Sequence, residues 1–303
     1  MGLWTLTPLD ADFPTRLRDL PEPPLVLHGL GNRAALHAPR TVGVVGTRRP
    51  TPGGRALTSK IVARLVEWDA TVVSGLAIGI DGAAQAATLE RTGSTIGVIG
   101  GGHRFPGPRA HQQLRDEVIA NGGAVISEHH PDDHPTLGTF PRRNRIIAAL
   151  SDALIVVEAP TRSGAISTAS HALALGRPVF VAPGRVGDWS VAGALKLLRD
   201  TPARLIVGLD ELIADLGYPD QTVAPSGSGQ PAATSRDAAL AVLGAAERAV
   251  ARRLTHGPAS LDLLVQETGY APQVVSSAVT FLLMRGWAHA VGPAFVAAGP
   301  LAA

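Results

Sequence analysis

The chain contains no cysteine, which excludes disulfides, cysteine-based zinc sites and thiol catalysis. Aromatic residues make up only 4% of its 303 residues, too few for nucleic-acid binding through a broad stacking platform. Lysine is confined to Lys60 and Lys196, so nearly all the positive charge is arginine. Arginine suits bidentate phosphate contacts, although genome composition explains the same bias. The net charge is only +2, so any basic patch has to be local. No apolar run reaches the roughly 20 residues of a membrane span. The N-terminus MGLWTLTPLDADFPTRLRDL lacks the basic start and apolar run of a signal peptide. A cytoplasmic protein with no membrane partner is the simplest expectation. What is present is a hydrophobic content of 45% against 17% charged residues, enough to bury a sizeable core in about two domains.

Residues 1–38 are rich in Pro and Leu and suggest a small N-terminal appendage packed on the core. From Thr41 onward, short Val- and Ile-rich runs alternate with helical stretches. The runs are TVGVVG, ATVVSG, STIGVIGGG, AVISE, ALIVVEA and PVFVAPG. The intervening helices are expected near 55–68, 82–91, 111–121, 144–150 and 165–175. Continuous apolar runs of this kind are strands of a parallel sheet buried on both faces. Their alternation with helices predicts an α/β fold with a doubly wound, mostly parallel sheet over residues 39–219. Residues 220–237, DQTVAPSGSGQPAATSRD with its neighbours, have a linker composition. Residues 238–303 then give a helix over 238–255, a helix–turn–helix and two short strands around Gly292-Pro293, the pattern of a winged-helix domain.

In an open parallel sheet, ligands bind beyond the carboxyl ends of the strands. Each expected strand here ends in a distinctive loop: Gly46-Thr47-Arg48-Arg49, Ser74-Gly75, Gly100-Gly101-Gly102, Ser127-Glu128, and Glu158 leading to Ser163-Gly164. Glycines let the backbone approach an anion, and free N–H groups at helix starts bind phosphate oxygens. Thr47, Ser74, Ser163 and Thr168 add hydroxyl donors. One such loop alone is explained by tight-turn closure, but several on one edge describe a phosphate-binding rim. No loop carries a P-loop lysine, and GTRRPTPGG is a poor match to a dinucleotide-binding turn, so ATPase chemistry and NAD are disfavoured. No cofactor is expected.

The sharpest local feature is FPRRNRIIAALSDALIVVEA. Arg142, Arg143 and Arg145 surround Asn144 just before an apolar segment. Three guanidiniums near a helix start would make a strong anion site, the alternative being a solvated charge run. HHPDDHP (129–135) contains metal-ligand residue types, but its spacing fits no compact site, and no metal is expected. Glu128 and Glu158 end strands and read as loop-organising groups, because no His or Ser completes a triad with them. In the C-terminal domain the expected recognition helix, PQVVSSAVTFLLM, has no Arg or Lys before Arg285. Duplex binding has little electrostatic footing there, and a protein-interaction role is equally open. Arg248, Arg252 and Arg253 read as a solvated face.

Taken together, VGVVGTRRPTPGG, VVSGLAIGIDGAA, TIGVIGGG, the FPRRNRII block and SGAISTASHALALGRPVFVAPG resemble the DNA-processing A (DprA/Smf) family, from about Pro23 to Leu216. The FPRRNRII block followed by VVEA and SG-x-x-x-TA is the specific part. The resemblance implies a Rossmann-like core that binds single-stranded DNA, a homodimer, and transfer of protected incoming DNA to the RecA recombinase in natural transformation, without catalytic residues. Arg48 matches the Arg of the family's Gly-Ser/Thr-Arg loop. Arg142, Arg143, Asn144 and Arg145 match its F-P-x-R-N-R segment. Ser74, Gly75, Ser163, Gly164 and Thr168 match its glycine-hydroxyl loops. The sequence departs from the pattern at Gly53 for Tyr, Ile78 for Arg, Gln85 for His and Leu195 for Asn. The GGG loop continues as His103-Arg104.

The expected DNA-contacting set is therefore Gly46, Thr47, Arg48, Arg49, Ser74, Gly75, Gly101, Gly102, Arg142, Arg143, Asn144, Arg145, Ser163, Gly164 and Thr168. Its physical premise is that the GTRR and PRRNR guanidiniums converge on one concave surface. The alternatives are a phosphoribohydrolase-like enzyme using Glu158 and the SGAIST loop, and a pure interaction scaffold.

Overall fold

The computed structural model describes residues 2–105, 109–136, 138–217, 240, 243–284, 287–291, 294–298 and 301. The linker expected at 220–237 lies outside the described residues. The chain divides into two compact units, Met1–Val223 and Ala224–Ala303.

The first unit is a Rossmann-like α/β fold. Its strands are β1 Trp4–Leu6, β2 Leu27–Gly31, β3 Thr41–Val45, β4 Thr71–Ser74, β5 Thr95–Val98, β6 Ala124–Ser127, β7 Ala153–Val156, β8 Val179–Val181 and β9 Arg204–Leu205. Its helices are α1 Thr15–Arg18, α2 Pro52–Glu67, α3 Ile80–Leu89, α4 Arg109–Ala120, α5 Thr139–Leu150, α6 Gly164–Ala174, α7 Ala192–Asp200 and α8 Leu209–Asp215. The strand order is β1-β2-β6-β5-β4-β3-β7-β8-β9. Strands from β6 to β9 in that order pair in parallel, with Val42 opposite Val72 on one side of β3 and Val44 opposite Ile155 on the other. The winding turns back between β3 and β7, which makes the space beyond their carboxyl ends the natural ligand crevice.

Side chains alternate across this sheet. Val45, Val73, Leu154 and Val156 enter one core with residues of α5 and α6, while Val42, Val44, Val72 and Ile155 enter another with residues of α2 and α3. Both faces are covered, and this is why the strands read as unbroken apolar runs. The N-terminal segment is more than an appendage. β2 joins the sheet antiparallel to β6, with Gly29 opposite Ile126, and β1 pairs antiparallel to β2. That pairing joins residues about a hundred positions apart, so no local pattern announces it.

Helix starts are set by local chemistry. Thr51 caps α2: its hydroxyl accepts the Gly54 N–H at 3.0 Å, and Pro52 fills the first helical position, where no N–H is needed. α5 starts at Thr139, five residues ahead of the expected Asn144. Pro141 falls in its first turn, where proline is tolerated. The PRRNR segment is therefore helical.

The second unit is a winged helix. It contains α9 Ala245–Leu254, β10 Ala259–Ser260, α10 Leu261–Thr268, α11 Pro272–Met284, β11 Ala288–Val291 and β12 Ala294–Ala297. The small sheet runs β10-β12-β11, all antiparallel. Ser260 caps α10 through the Leu263 N–H, and Gly269 ends it in left-handed backbone. Val250, Leu254, Leu264, Val275, Val279 and Leu282 form its core. The helix expected from residue 238 is not continuous, because Gly244 is extended and α9 begins after it.

Candidate functional site

Two loops meet beyond the switch point. The loop after β3 carries Gly46–Arg49, and the loop after β7 runs from Val157 to Ser163. Backbone bonds tie them together: Val157 N–H donates to the Val45 carbonyl at 3.1 Å and Thr47 N–H to the Glu158 carbonyl at 2.6 Å. Glu158 turns its carboxylate away, accepting the Thr51 N–H at 2.9 Å and the Thr51 hydroxyl at 2.6 Å. It organises the start of α2, as the sequence suggests, and both of its carboxylate oxygens are engaged there.

Around the junction lies a cavity of about 500 Å³ lined by Gly46, Thr47, Arg48, Arg49, Asp81, Phe140, Arg143, Asn144, Arg162, Ser163, Gly164, Thr168 and Trp189, among others. Arg48, Arg49 and Arg162 are exposed on its rim. A second cavity of about 260 Å³ adjoins it and shares Arg48, Ala77, Phe140 and Arg143. The second cavity is mostly apolar, with Leu76, Ile78, Ile99, Phe105 and Pro135 in its walls. The Arg48 guanidinium stands 5.7 Å from the Phe140 ring centroid, a cation–π contact at the boundary between the two.

The floor is a buried polar network. Arg143 is 4% exposed. Its Nη1 donates to the Gly75 carbonyl at 2.7 Å and to the Val98 carbonyl, and its Nε donates to Asn144 Oδ1 at 3.1 Å. Asn144 Nδ2 donates to the Gly164 carbonyl at 3.2 Å. Asp81 accepts the Gly75 N–H at 3.1 Å and, more weakly, the Gly46 N–H at 3.4 Å. Burial pushes the Asp81 carboxyl above its ordinary value, a shift that the neighbouring Arg143 charge and the two amides oppose. Burial pushes Arg143 downward, opposed by Asp81. One guanidinium thus ties together the ends of β4 and β5 and the helix α5, and through Asn144 it reaches the start of α6.

The sequence placed three free guanidiniums here, and the structure separates them. Successive helix residues point about 100° apart, so a run read as one cluster fans outward once it is helical. Arg143 points into the floor. Arg145 forms a fork with Glu128, with contacts of 2.9 and 2.7 Å and both side chains buried. Arg142, three positions before Arg145 on the same face, is 61% exposed, with its Nε 3.7 Å from Glu128, and lines neither cavity. Ser74 is fully buried and donates to the Val44 carbonyl at 2.6 Å, so it belongs to the sheet and not to the rim. Gly101 lines the second cavity. Gly102 lies outside both and closes its loop, donating to the Asp133 carbonyl at 2.8 Å. Thr168 donates to the Gly164 carbonyl at 3.0 Å.

Sequence reasoning missed Asp81, Phe140, Arg162 and Trp189 at this site. Asp81 stands in the first turn of α3, where an acidic residue looks like an ordinary response to the helix dipole. Of the noted departures, Gln85 is buried and satisfied: its Oε1 accepts the Leu76 N–H at 3.0 Å and its Nε2 lies 3.3 Å from the Ile96 carbonyl. Ile78 is 54% exposed at the second cavity.

A family model for DNA recombination-mediator protein A matches residues 4–217, and one for the DprA winged helix domain matches residues 231–292. The chain belongs to the DprA family. It is 37% identical to DNA processing protein DprA of Bacillus subtilis over 215 residues, covering 71% of this chain and 72% of that protein. It is also 37% identical to the putative DprA of Mycobacterium tuberculosis over 297 residues, covering 94% of this chain and 74% of that one. Among solved structures, DprA of Streptococcus pneumoniae matches with a TM-score of 0.65 at 36% identity, covering 70% of this chain and 74% of that one. DprA of Helicobacter pylori, solved to describe its single-stranded DNA binding mode, matches with a TM-score of 0.65 at 32% identity, covering 72% and 97%. A DNA-processing role follows from this DprA membership.

Proposed function

We propose that this DprA-family chain is a non-catalytic mediator that binds single-stranded DNA in the crevice between the β3 and β7 loops. Arg48, Arg49 and Arg162 hold backbone phosphates, assisted by the loop amides of Ser163 and Gly164, while the adjoining apolar cavity accepts a base. The single observation that carries the reading is one concavity at the switch point in which exposed guanidiniums and a helix start face the same space. The Helicobacter relative, described as binding single-stranded DNA, supports it. Transfer of the strand to RecA by a homodimer completes the proposal on the strength of the family likeness.

The test is a salt titration of binding to an oligothymidylate and to a matched duplex, using the full chain. Three phosphate contacts predict a slope of log affinity against log salt of roughly −2. Replacing Arg48 and Arg162 together by alanine should flatten that slope and weaken binding, with the melting temperature unchanged because both side chains are exposed. Salt-independent binding, or an unaffected double variant, overturns this placement.

A further inference from the structure

The chain has four tryptophans, and they are buried very unequally. Trp68 is buried, Trp4 is half-buried with its indole N–H on the Gly31 carbonyl, and Trp287 is half-buried in the winged helix. Trp189 is 65% exposed. Leaving so large an apolar ring in water forfeits burial that most tryptophans obtain, so its position calls for an explanation.

Trp189 is held in place on both sides. Before it, residues Arg185–Asp188 make a tight turn in which the Asp188 N–H donates to the Arg185 carbonyl at 3.2 Å, with Gly187 supplying the positive φ of 97°. After it, Ser190 and Val191 are buried, Val191 lies against Gly184, and α7 begins. The indole is therefore presented by an anchored loop. What it faces is the 500 Å³ cavity whose wall it shares with Arg48, Arg49, Arg162 and Ser163.

An aromatic face and phosphate-binding groups lining one cavity match a nucleotide unit, which carries a flat π-face and an anion a sugar apart. An acidic peptide supplies the anion without the stacking face. A base is free to stack on a side chain only when it is not already paired and stacked inside a duplex. We infer that Trp189 stacks on a nucleobase of the strand held in this groove and thereby sets its preference for unpaired strands. This inference rests on the groove being the DNA site proposed above, and it adds the element that phosphate contacts lack, since those hold single and double strands alike.

The experiment measures binding of the full chain to labelled oligothymidylate, to the same oligomer with abasic sites, and to a duplex. Stacking of one base predicts that Trp189→Ala weakens oligothymidylate binding by roughly 5- to 100-fold. The abasic oligomer should hardly change, and the ratio of single-strand to duplex affinity should fall. Trp189→Phe should retain most of the affinity, because it keeps an aromatic face. It should also remove the quenching of tryptophan fluorescence on binding. Val186→Ala, on the same loop and 93% exposed, is the control expected to bind normally. Equal losses on the normal and abasic oligomers would make Trp189 a loop-shaping residue and overturn the inference. Unchanged affinity would overturn it too, leaving the indole for a protein contact, while the groove assignment stands. If the unaltered chain binds neither oligomer, the groove assignment falls and the inference with it.

Discussion

Arg143→Ala separates a structural arginine from a ligand-holding one. The substitution removes a guanidinium that is 4% exposed, leaves the Asp81 carboxylate buried without its neighbouring charge, and orphans the carbonyls of Gly75 and Val98. Removing one partner of a buried charge pair costs about 3–5 kcal/mol. Each orphaned acceptor adds about 1–3 kcal/mol where water cannot reach it, but the space left by the side chain admits water, so the lower figure sets the expectation. A domain with about 5–15 kcal/mol of total stability should feel this plainly. With a denaturant slope of about 1–3 kcal/mol per molar, the urea midpoint should drop by roughly 1–3 M. The loss should also depend on pH, with a definite sign. Burial already raises Asp81, and without Arg143 its folded-state value rises further. A carboxyl raised above its unfolded value contributes stability that is complete below the unfolded value and is lost as pH rises through the folded one. The difference between variant and parent should therefore grow as pH rises through the variant's raised folded value and shrink as pH falls back toward the unfolded one. A loss below about 1 kcal/mol, or one that does not shrink on acidification, would refute the buried-pair reasoning.

Two other substitutions probe how the groove is held. Thr51→Ala removes both the cap of α2 and the hydroxyl that donates to Glu158, and should lower stability by about 1–2 kcal/mol in thermal unfolding; an unchanged melting temperature would contradict the capping role. Gly79→Ala places a Cβ against the Thr47 carbonyl and the Arg48 backbone at a φ of 105°. It should cost at least about 1–3 kcal/mol and weaken oligonucleotide binding by displacing the Arg48 loop, so native stability and affinity together would argue against that loop's role.

How much of this was legible depended on whether the signal was local. The six central strands could be read because a sheet buried on both faces forces continuous Val and Ile runs, as in Leu154–Val156. The loops at Gly46–Arg49 and Ser163-Gly164 could be placed because ligand crevices follow strand ends. The directions of Arg142, Arg143 and Arg145 could not, because they depend on the phase of α5, and Phe140-Pro141 disguised its first turn as a loop. β9, only two residues long, carries too little pattern to detect. The low aromatic content argues against a broad stacking platform, yet a count says nothing of placement, and Phe140 and Trp189 both stand at the groove.

The antiparallel pair at the N-terminus has a consequence for solubility. Stripped of residues 4–31, the sheet would end at β6, whose Ala124–Ser127 segment is wholly buried. A bare row of amides and carbonyls beside such side chains is a template for joining the same row on another molecule. Instead the boundary is moved outward to β1, three residues long and with Thr5 in the open, a ledge too short for another chain to extend. The first thirty residues thus guard this edge against strand addition by another molecule, and they should accompany any smaller version of the protein.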